Sequence, residues 1–366
     1  MRISNLTFIV TDDCNFNCSY CFQKKEKKTI SNAFIKTAVD FFYPFLGGDG
    51  KIQIGFYGGE PLLAYEQMKH AVLRLQEKNK KENKKMEFVV TTNGSLLTEK
   101  MLDFFNSHKF VLLLSFDGLA QEKARKRGTL DQMVQVIKTI QDYPDITFEI
   151  NSVFTPQTVS LLSGSMRFII EHKGPEITFN LSSMDEWGSS DLETLKKELE
   201  RLTDFLVKFH KEKGKIPVKN FQTQVPGPGS GIFLCGAGIE HMAVTPAGKL
   251  WGCFLFHDYF KTREKDSQYQ EYEFGTLTDF IANYETRYPA VAANYSELHQ
   301  DFFQVKDEGR EGTFCFLCED IKGCVVCPVN AAYSSGSLGK ISCCHCVLKK
   351  IQRHALENFH EKLRQF

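Results

Sequence analysis

Cys14, Cys18 and Cys21 stand in the order Cys-x3-Cys-x2-Cys near the start of a 366-residue chain. Three thiolates so close together can hold three irons of a 4Fe–4S cube and leave the fourth iron without a protein ligand. An open iron is a place where a small molecule can bind and receive an electron. A structural zinc site takes four ligands, and with no histidine nearby it would have to borrow one from afar. Phe16, Tyr20 and Phe22 lie among the thiols and can shield them from water. Of twelve cysteines, three are here, none falls between Cys21 and Cys235, and nine lie in the last third. Grouping of this kind points to metal binding rather than to packing or disulfides.

Other residues suit a polar ligand. Gly58-Gly59-Glu60 follows an apolar run, where glycines let the backbone approach a ligand and Glu60 sets a charge opposite an ammonium. The plainer reading is a glycine turn with Glu60 capping the next helix. Asn93 in Thr91-Thr92-Asn93-Gly94, and Ser115 and Asp117 in Ser115-Phe116-Asp117-Gly118, offer amide, hydroxyl and carboxylate groups for hydrogen bonding. Each of these could also be a turn former.

The cysteine spacing resembles the signature of the radical S-adenosylmethionine (SAM) superfamily, and Tyr57-Gly58-Gly59-Glu60-Pro61-Leu62 resembles that family's second motif. The resemblance implies that Cys14, Cys18 and Cys21 hold the catalytic cluster, whose open iron chelates SAM. Its electron would cleave SAM to methionine and a 5′-deoxyadenosyl radical, which takes a hydrogen atom from the substrate. By the same analogy Gly58, Gly59 and Glu60 hold the SAM amino group, and Asn93 and Ser115 contact the ribose. Asp117 would lie at the substrate mouth as a catalytic residue. Arg127 would face the SAM carboxylate, with Arg125 as the alternative, and Asn151 would offer backbone hydrogen bonds to adenine.

In the last third, Cys235 and Cys253 flank a Pro246-Ala247-Gly248 turn between two apolar runs, a hairpin that brings distant thiols together. Cys315-x2-Cys318-x5-Cys324-x2-Cys327 follows, then Cys343, Cys344 and Cys346. Alone, a repeated Cys-x2-Cys also fits a zinc ribbon. In order, these cysteines resemble the SPASM extension of radical SAM enzymes, with one departure in the spacing of Cys324 and Cys327. The resemblance implies two auxiliary clusters and so three 4Fe–4S clusters in all. Cys235, Cys253 and Cys327 would bind the first; Cys315, Cys318, Cys324 and Cys346 would bind the second. The fourth position of the first is open, or is closed by Cys343 or Cys344.

Strands are expected at Leu6–Thr11, Ile52–Tyr57, Glu87–Thr92, Phe110–Phe116, Ile146–Val153 and Ile177–Leu181. Helices are expected at Asn32–Phe45, Tyr65–Asn79, Thr98–His108, Leu130–Tyr143, Val159–His172 and Leu192–Lys213. This alternation implies an α/β fold with parallel strands. Cys14, Gly58, Asn93 and Asp117 each follow a strand, so they converge at the end of the sheet where such folds place chemistry. The stretch Pro226–Gly231 reads as a linker. With the resemblance, the expectation is a partial (β/α)6 TIM-type barrel over residues 1–225, followed by a SPASM domain over 226–366.

Lysine plus arginine equals aspartate plus glutamate at 45 each, so no global field recruits nucleic acid or an anionic membrane. No apolar run approaches the roughly 20 residues of a membrane helix, and Met1–Asn5 is no signal peptide, so a cytoplasmic enzyme is expected. The resemblance implies modification of a peptide or protein, foremost a ribosomally made peptide that gains a thioether or carbon–carbon crosslink. Sulfatase-type oxidation to formylglycine is the alternative. A different class, an iron–sulfur electron carrier or zinc-binding module, would have no use for the glycine-glycine-glutamate turn. A flavodoxin- or ferredoxin-type reductant is implied. With five residues before the first strand, leader recognition is expected to fall to a separate protein or to the mouth itself.

Overall fold

The computed structural model describes the chain apart from residues 173–175, 223–234, 301–303, 308–309, 315–317, 319–325 and 366, and gives backbone alone at 299–300, 304–307 and 310–314. Six strand–helix units come first: β1 Asn5–Thr11, α1 Asn32–Phe42, β2 Ile52–Gly58, α2 Tyr65–Asn79, β3 Met86–Thr92, α3 Glu99–Ser107, β4 Val111–Ser115, α4 Gln121–Ala124, α5 Leu130–Ile140, β5 Thr147–Phe154, α6 Leu162–Glu171, β6 Glu176–Leu181 and α7 Ser189–Lys213. The caps explain several boundaries. Ser31 accepts Phe34 N–H at the start of α1, and Thr98 accepts Met101 N–H at the start of α3. Gly214, at φ 67°, ends α7 in the left-handed region. The helix expected to reach Phe45 stops at Phe42 and tightens into a 3-10 turn over Tyr43–Phe45, which contains Pro44.

Strands β1 to β6 are parallel neighbours in chain order. Alternation along β2, β4 and β5 sends Ile54, Phe56, Leu112, Leu114, Phe148 and Ile150 into the buried layer. The opposite face carries Gln53, Tyr57, Ser115, Glu149 and Asn151, all half-buried. One face thus makes the core, and the other is a polar surface able to receive a ligand.

The C-terminal part continues as β7 His241–Val244, β8 Lys249–Trp251, α8 Phe254–Phe260, α9 Tyr269–Tyr272, β9 Glu273–Thr276, α10 Leu277–Gln300, β10 Gln304–Asp307, β11 Arg310–Phe314, α11 Pro328–Ser335, β12 Ile341–Ser342 and α12 Cys343–Arg364. The expected hairpin is present as β7–β8, turning at Gly248 with φ 81°. It joins the first sheet: β7 pairs parallel with β1, from Asn5↔His241 to Phe8↔Val244, giving the order β6-β5-β4-β3-β2-β1-β7-β8-β9. Helix α12 returns along α7, with Lys362 Nζ 2.6 Å from Asp204 and Phe359 packed on Phe221. The Pro226–Gly231 linker lies outside the described residues. Among the described residues, no helix is long and apolar enough to cross a membrane.

Candidate functional site

The loops after β1, β2 and β3 are stitched into a ring. Gly59 N–H donates to Thr11 O at 3.0 Å, and Glu60 N–H to Asp13 O at 2.8 Å. A Cβ on Gly58, whose φ is 149°, would collide with Thr11 O, and one on Gly59 with Asp13 O, so both positions require glycine. Glu60 is fully buried. Its Oε1 accepts Leu62 N–H at 3.0 Å and Thr92 Oγ1 at 2.6 Å, and Oε2 accepts Asn93 N–H at 2.8 Å. Burial raises its pKa, and those three donors work against the rise. The carboxylate that could face an ammonium therefore caps the Pro61–Ala64 turn and ties β2 to β3. Asn93 closes the ring: its Nδ2 donates to Asn15 Oδ1 at 2.9 Å, while its Oδ1 accepts Ser95 Oγ at 2.6 Å.

A second set joins the cysteine loop to β4 and β5. Asp117 is fully buried and receives Arg125 through Nε at 2.8 Å and Nη2 at 3.0 Å, Val153 N–H at 2.8 Å and Tyr20 Oη at 2.8 Å. The Arg125 guanidinium lies 5.3 Å from the Tyr20 ring centre, where a cation–π contact adds to the bond. Ser19 N–H donates to Ala124 O at 2.8 Å. Arg127, expected to face the SAM carboxylate, is exposed; Arg125 is the arginine turned inward, because α4 ends before it and Asp117 draws it in. Ser115 and Asn151 stand in register on neighbouring strands, and Asn151 Oδ1 accepts Asn180 Nδ2 at 2.7 Å.

The thiols have a common environment. Cys14 Sγ accepts Phe16 N–H at 3.4 Å, and Cys235 Sγ accepts Ala237 N–H at 3.4 Å. Leu255 N–H donates to Cys253, and Val329 and Asn330 N–H to Cys327. Burial pushes the Cys14 thiol up to about 11 and raises Cys18, Cys235, Cys253 and Cys327 as well. Buried sulfurs with amide donors aimed at them suit thiolates bonded to a cationic cluster. Among the described residues, no three Cys, His, Asp or Glu side chains close on a single ion. The donor set fits a cluster.

Cys253 and Cys327 cap the N-termini of α8 and α11, and the thiols that Cys253 faces are Cys235 and Cys327. Cys344 instead receives Trp187 N–H and neighbours Cys343 and Glu186. Cys318 and Cys346 are half-buried, whereas Cys315 and Cys324 lie outside the described residues.

Two carboxylates absent from the sequence reading complete the picture. Asp258, on α8, is buried and accepts Gln23 Nε2 at 3.2 Å and the Tyr57 hydroxyl. Burial pushes it up to about 6 despite nearby His257. Asp12 is buried too, yet the neighbouring His257 and the ion pair with Lys261 hold it below the usual carboxylate range. The signal was legible as charges in the aromatic run Phe254–Lys261 directly after Cys253.

Residues 8–158 match the Radical SAM superfamily. An uncharacterized protein of Methanocaldococcus jannaschii is 28% identical over 60% of this chain and 75% of its own length. The cysteine-type anaerobic sulfatase-maturating enzyme of Clostridium perfringens is 28% identical over 29% of this chain and 30% of its own. A probable GTP 3′,8-cyclase of Methanosarcina mazei is 25% identical over 70% and 79%. In fold, native anSMEcpe with bound AdoMet (SAM) matches 99% of this chain and 100% of its own at a TM-score of 0.74 and 18% identity, and a structure that also holds a Cp18Cys peptide matches at 0.72. Streptococcus suis SuiB bound to precursor peptide SuiA matches at 0.56 and 15% identity, over 90% of this chain and 73% of its own.

The stitching role of Glu60 sets one expectation. Glu60→Gln turns an acceptor into a donor facing Leu62, Thr92 or Asn93, and should lower unfolding stability by about 1–3 kcal/mol in urea titration. An unchanged urea midpoint would show that the ring does not need this carboxylate.

Proposed function

We propose that the radical SAM domain at residues 8–158 makes this chain an enzyme that cleaves SAM reductively and modifies a peptide or protein. The observation that carries the reading is the hydrogen-bonded ring that holds the Cys14–Cys21 loop against Gly58-Gly59 at the same mouth as Asp117 and Arg125. Cys14, Cys18 and Cys21 would hold a 4Fe–4S cluster, which when bound would supply one electron and an open iron for the reductive cleavage of SAM. The chain supplies the positioning. Backbone carbonyls of the Gly58-Gly59 turn suit the SAM ammonium, and Ser115 and Asn151 suit its ribose and adenine. Asp117 and Arg125 act by fixing Tyr20 between Cys18 and Cys21.

A peptide substrate is supported by the fold shared with structures that hold peptides. The C-terminal thiols suit two auxiliary clusters, and the grouping of Cys235 and Cys327 at Cys253, with Cys344 at Trp187, favours an open position on the first. An open position suits a substrate cysteine, so crosslinking of a ribosomally made peptide through a thioether is favoured over formylglycine formation. A flavodoxin- or ferredoxin-type reductant completes the proposal.

Removing a hydrogen atom and then an electron from a substrate requires an electron acceptor, which an auxiliary cluster held by the C-terminal thiols would be, and a proton acceptor. Asp258 is suited to that work, lying between Cys253 on one side and Gln23 and Tyr57 on the other.

Under anaerobic reduction the chain should release 5′-deoxyadenosine from SAM, and alanine at Cys14, Cys18 and Cys21 together should abolish the release. Release that survives in the triple variant would refute the assignment of the cluster. Asp258→Asn should keep 5′-deoxyadenosine release and lower product formation by about 10²–10⁴-fold, the range of general-base catalysis. Because the folded value is about 6, the unmutated enzyme should lose product per 5′-deoxyadenosine as pH falls through it, when Asp258 is already protonated. A flat ratio across that window would remove Asp258 from the reaction.

A further inference from the structure

The cysteine loop is gripped from the C-terminal side at both of its ends. Before Cys14, Lys261 Nζ lies 2.9 Å from Asp12 Oδ2 and His257 Nε2 lies 3.6 Å from Oδ1. After Cys21, the Phe22 ring packs 5.1 Å from Tyr333, and Gln23 reaches Asp258. The gripping residues belong to α8, its C-terminal cap and α11. Those are the helices whose N-terminal caps are Cys253 and Cys327.

The ion pair is the costly part of this grip. The Asp12 and Lys261 side chains are 7% and 10% exposed, so both charges are largely withdrawn from water, and removing either leaves the other only a more distant partner, Glu26 at 4.0 Å from Lys261 or His257 at 3.6 Å from Asp12. Strand β1 does not need the pair, because it is already bonded to β2 on one edge and β7 on the other. Lys261 also closes α8, where its charge favours the helix C-terminus and its N–H donates to His257 O at 2.8 Å. A displacement of α8 at the Cys253 end is therefore carried to Lys261, and through Asp12 to the root of the loop that bears Cys14.

We propose that Lys261 is a positioning residue whose buried pair with Asp12 couples the Cys235–Cys253–Cys327 site to SAM binding at the cysteine loop. The proposal rests on the radical SAM reading above. Coupling between two sites is reciprocal, so a perturbation at the C-terminal thiols must weaken SAM binding through this pair.

The test is a mutant cycle on the full chain, reconstituted anaerobically with iron and sulfide. SAM affinity is read by calorimetry, and the reduced N-terminal cluster by the change in its electron paramagnetic resonance spectrum when SAM is added. Lys261→Met should weaken SAM binding roughly tenfold and alter that spectrum, and Lys261→Arg should restore most of both. Cys327→Ala should weaken SAM binding in the unmutated background and add nothing to Lys261→Met. Losses that multiply independently, or a Lys261→Met protein with unchanged affinity and spectrum, would overturn the coupling. The cycle is run in parallel with Asp12→Asn, which keeps the side-chain shape, so a misfolded Lys261→Met protein does not decide the matter. Absence of iron–sulfur absorption and SAM binding in the unmutated chain would overturn the radical SAM reading, and the coupling with it.

Discussion

The mouth of this sheet depends on the close approach of two backbones, Gly58-Gly59 against Thr11–Asp13. A side chain at either glycine would meet a carbonyl oxygen, so the loop after β2 can lie on the loop after β1 only because neither position has a Cβ. From that contact the other bonds follow. Glu60 N–H reaches Asp13 O, the Glu60 carboxylate takes donors from Leu62, Thr92 and Asn93, and Asn93 returns to Asn15 beside the first thiol. On the far side Tyr20 closes on Asp117, which gathers Arg125 and β5. The cysteine loop has little structure of its own, and neighbouring loops hold it in place.

Much of this was legible in the sequence. The six barrel strands and their helices fall within a few residues of where the alternation of apolar runs places them, because parallel strands buried against helices leave a strong periodic signal. Glycine and cysteine spacing marked the mouth for the same reason that it builds it. Three features were not legible. Glu60 is expected from the sequence to face an ammonium rather than to cap, and only its donors, from residues about 30 positions downstream, show the capping role. Arg125 and Arg127 are two residues apart in a charged run, and the short α4 decides which turns inward. Pairing of β7 with β1, across more than 230 residues of chain, leaves no local trace at all.

That pairing changes how the C-terminal third is understood. The strands around the second thiol group extend the first sheet, and α8 reaches back to Asp12 and Gln23. Cys21 on one side and Cys253 on the other thus face one shared region containing Tyr57, Asp258 and Tyr333. A substrate held there would lie between the groups. Under the proposed function, Cys14–Cys21 would serve as the radical source and Asp258 as the proton acceptor beside a second thiol site, which is the arrangement that a two-electron oxidation of a substrate would use.

The central claim is that SAM binds directly to the open iron of a cluster held by Cys14, Cys18 and Cys21, beside the Gly58-Gly59 turn. Electron–nuclear double resonance on the reduced, reconstituted chain with SAM labelled with nitrogen-15 at its amino group tests this most directly. The account predicts a strong coupling between the label and the cluster spin. A reduced cluster that shows no coupling to the bound, labelled SAM would contradict it.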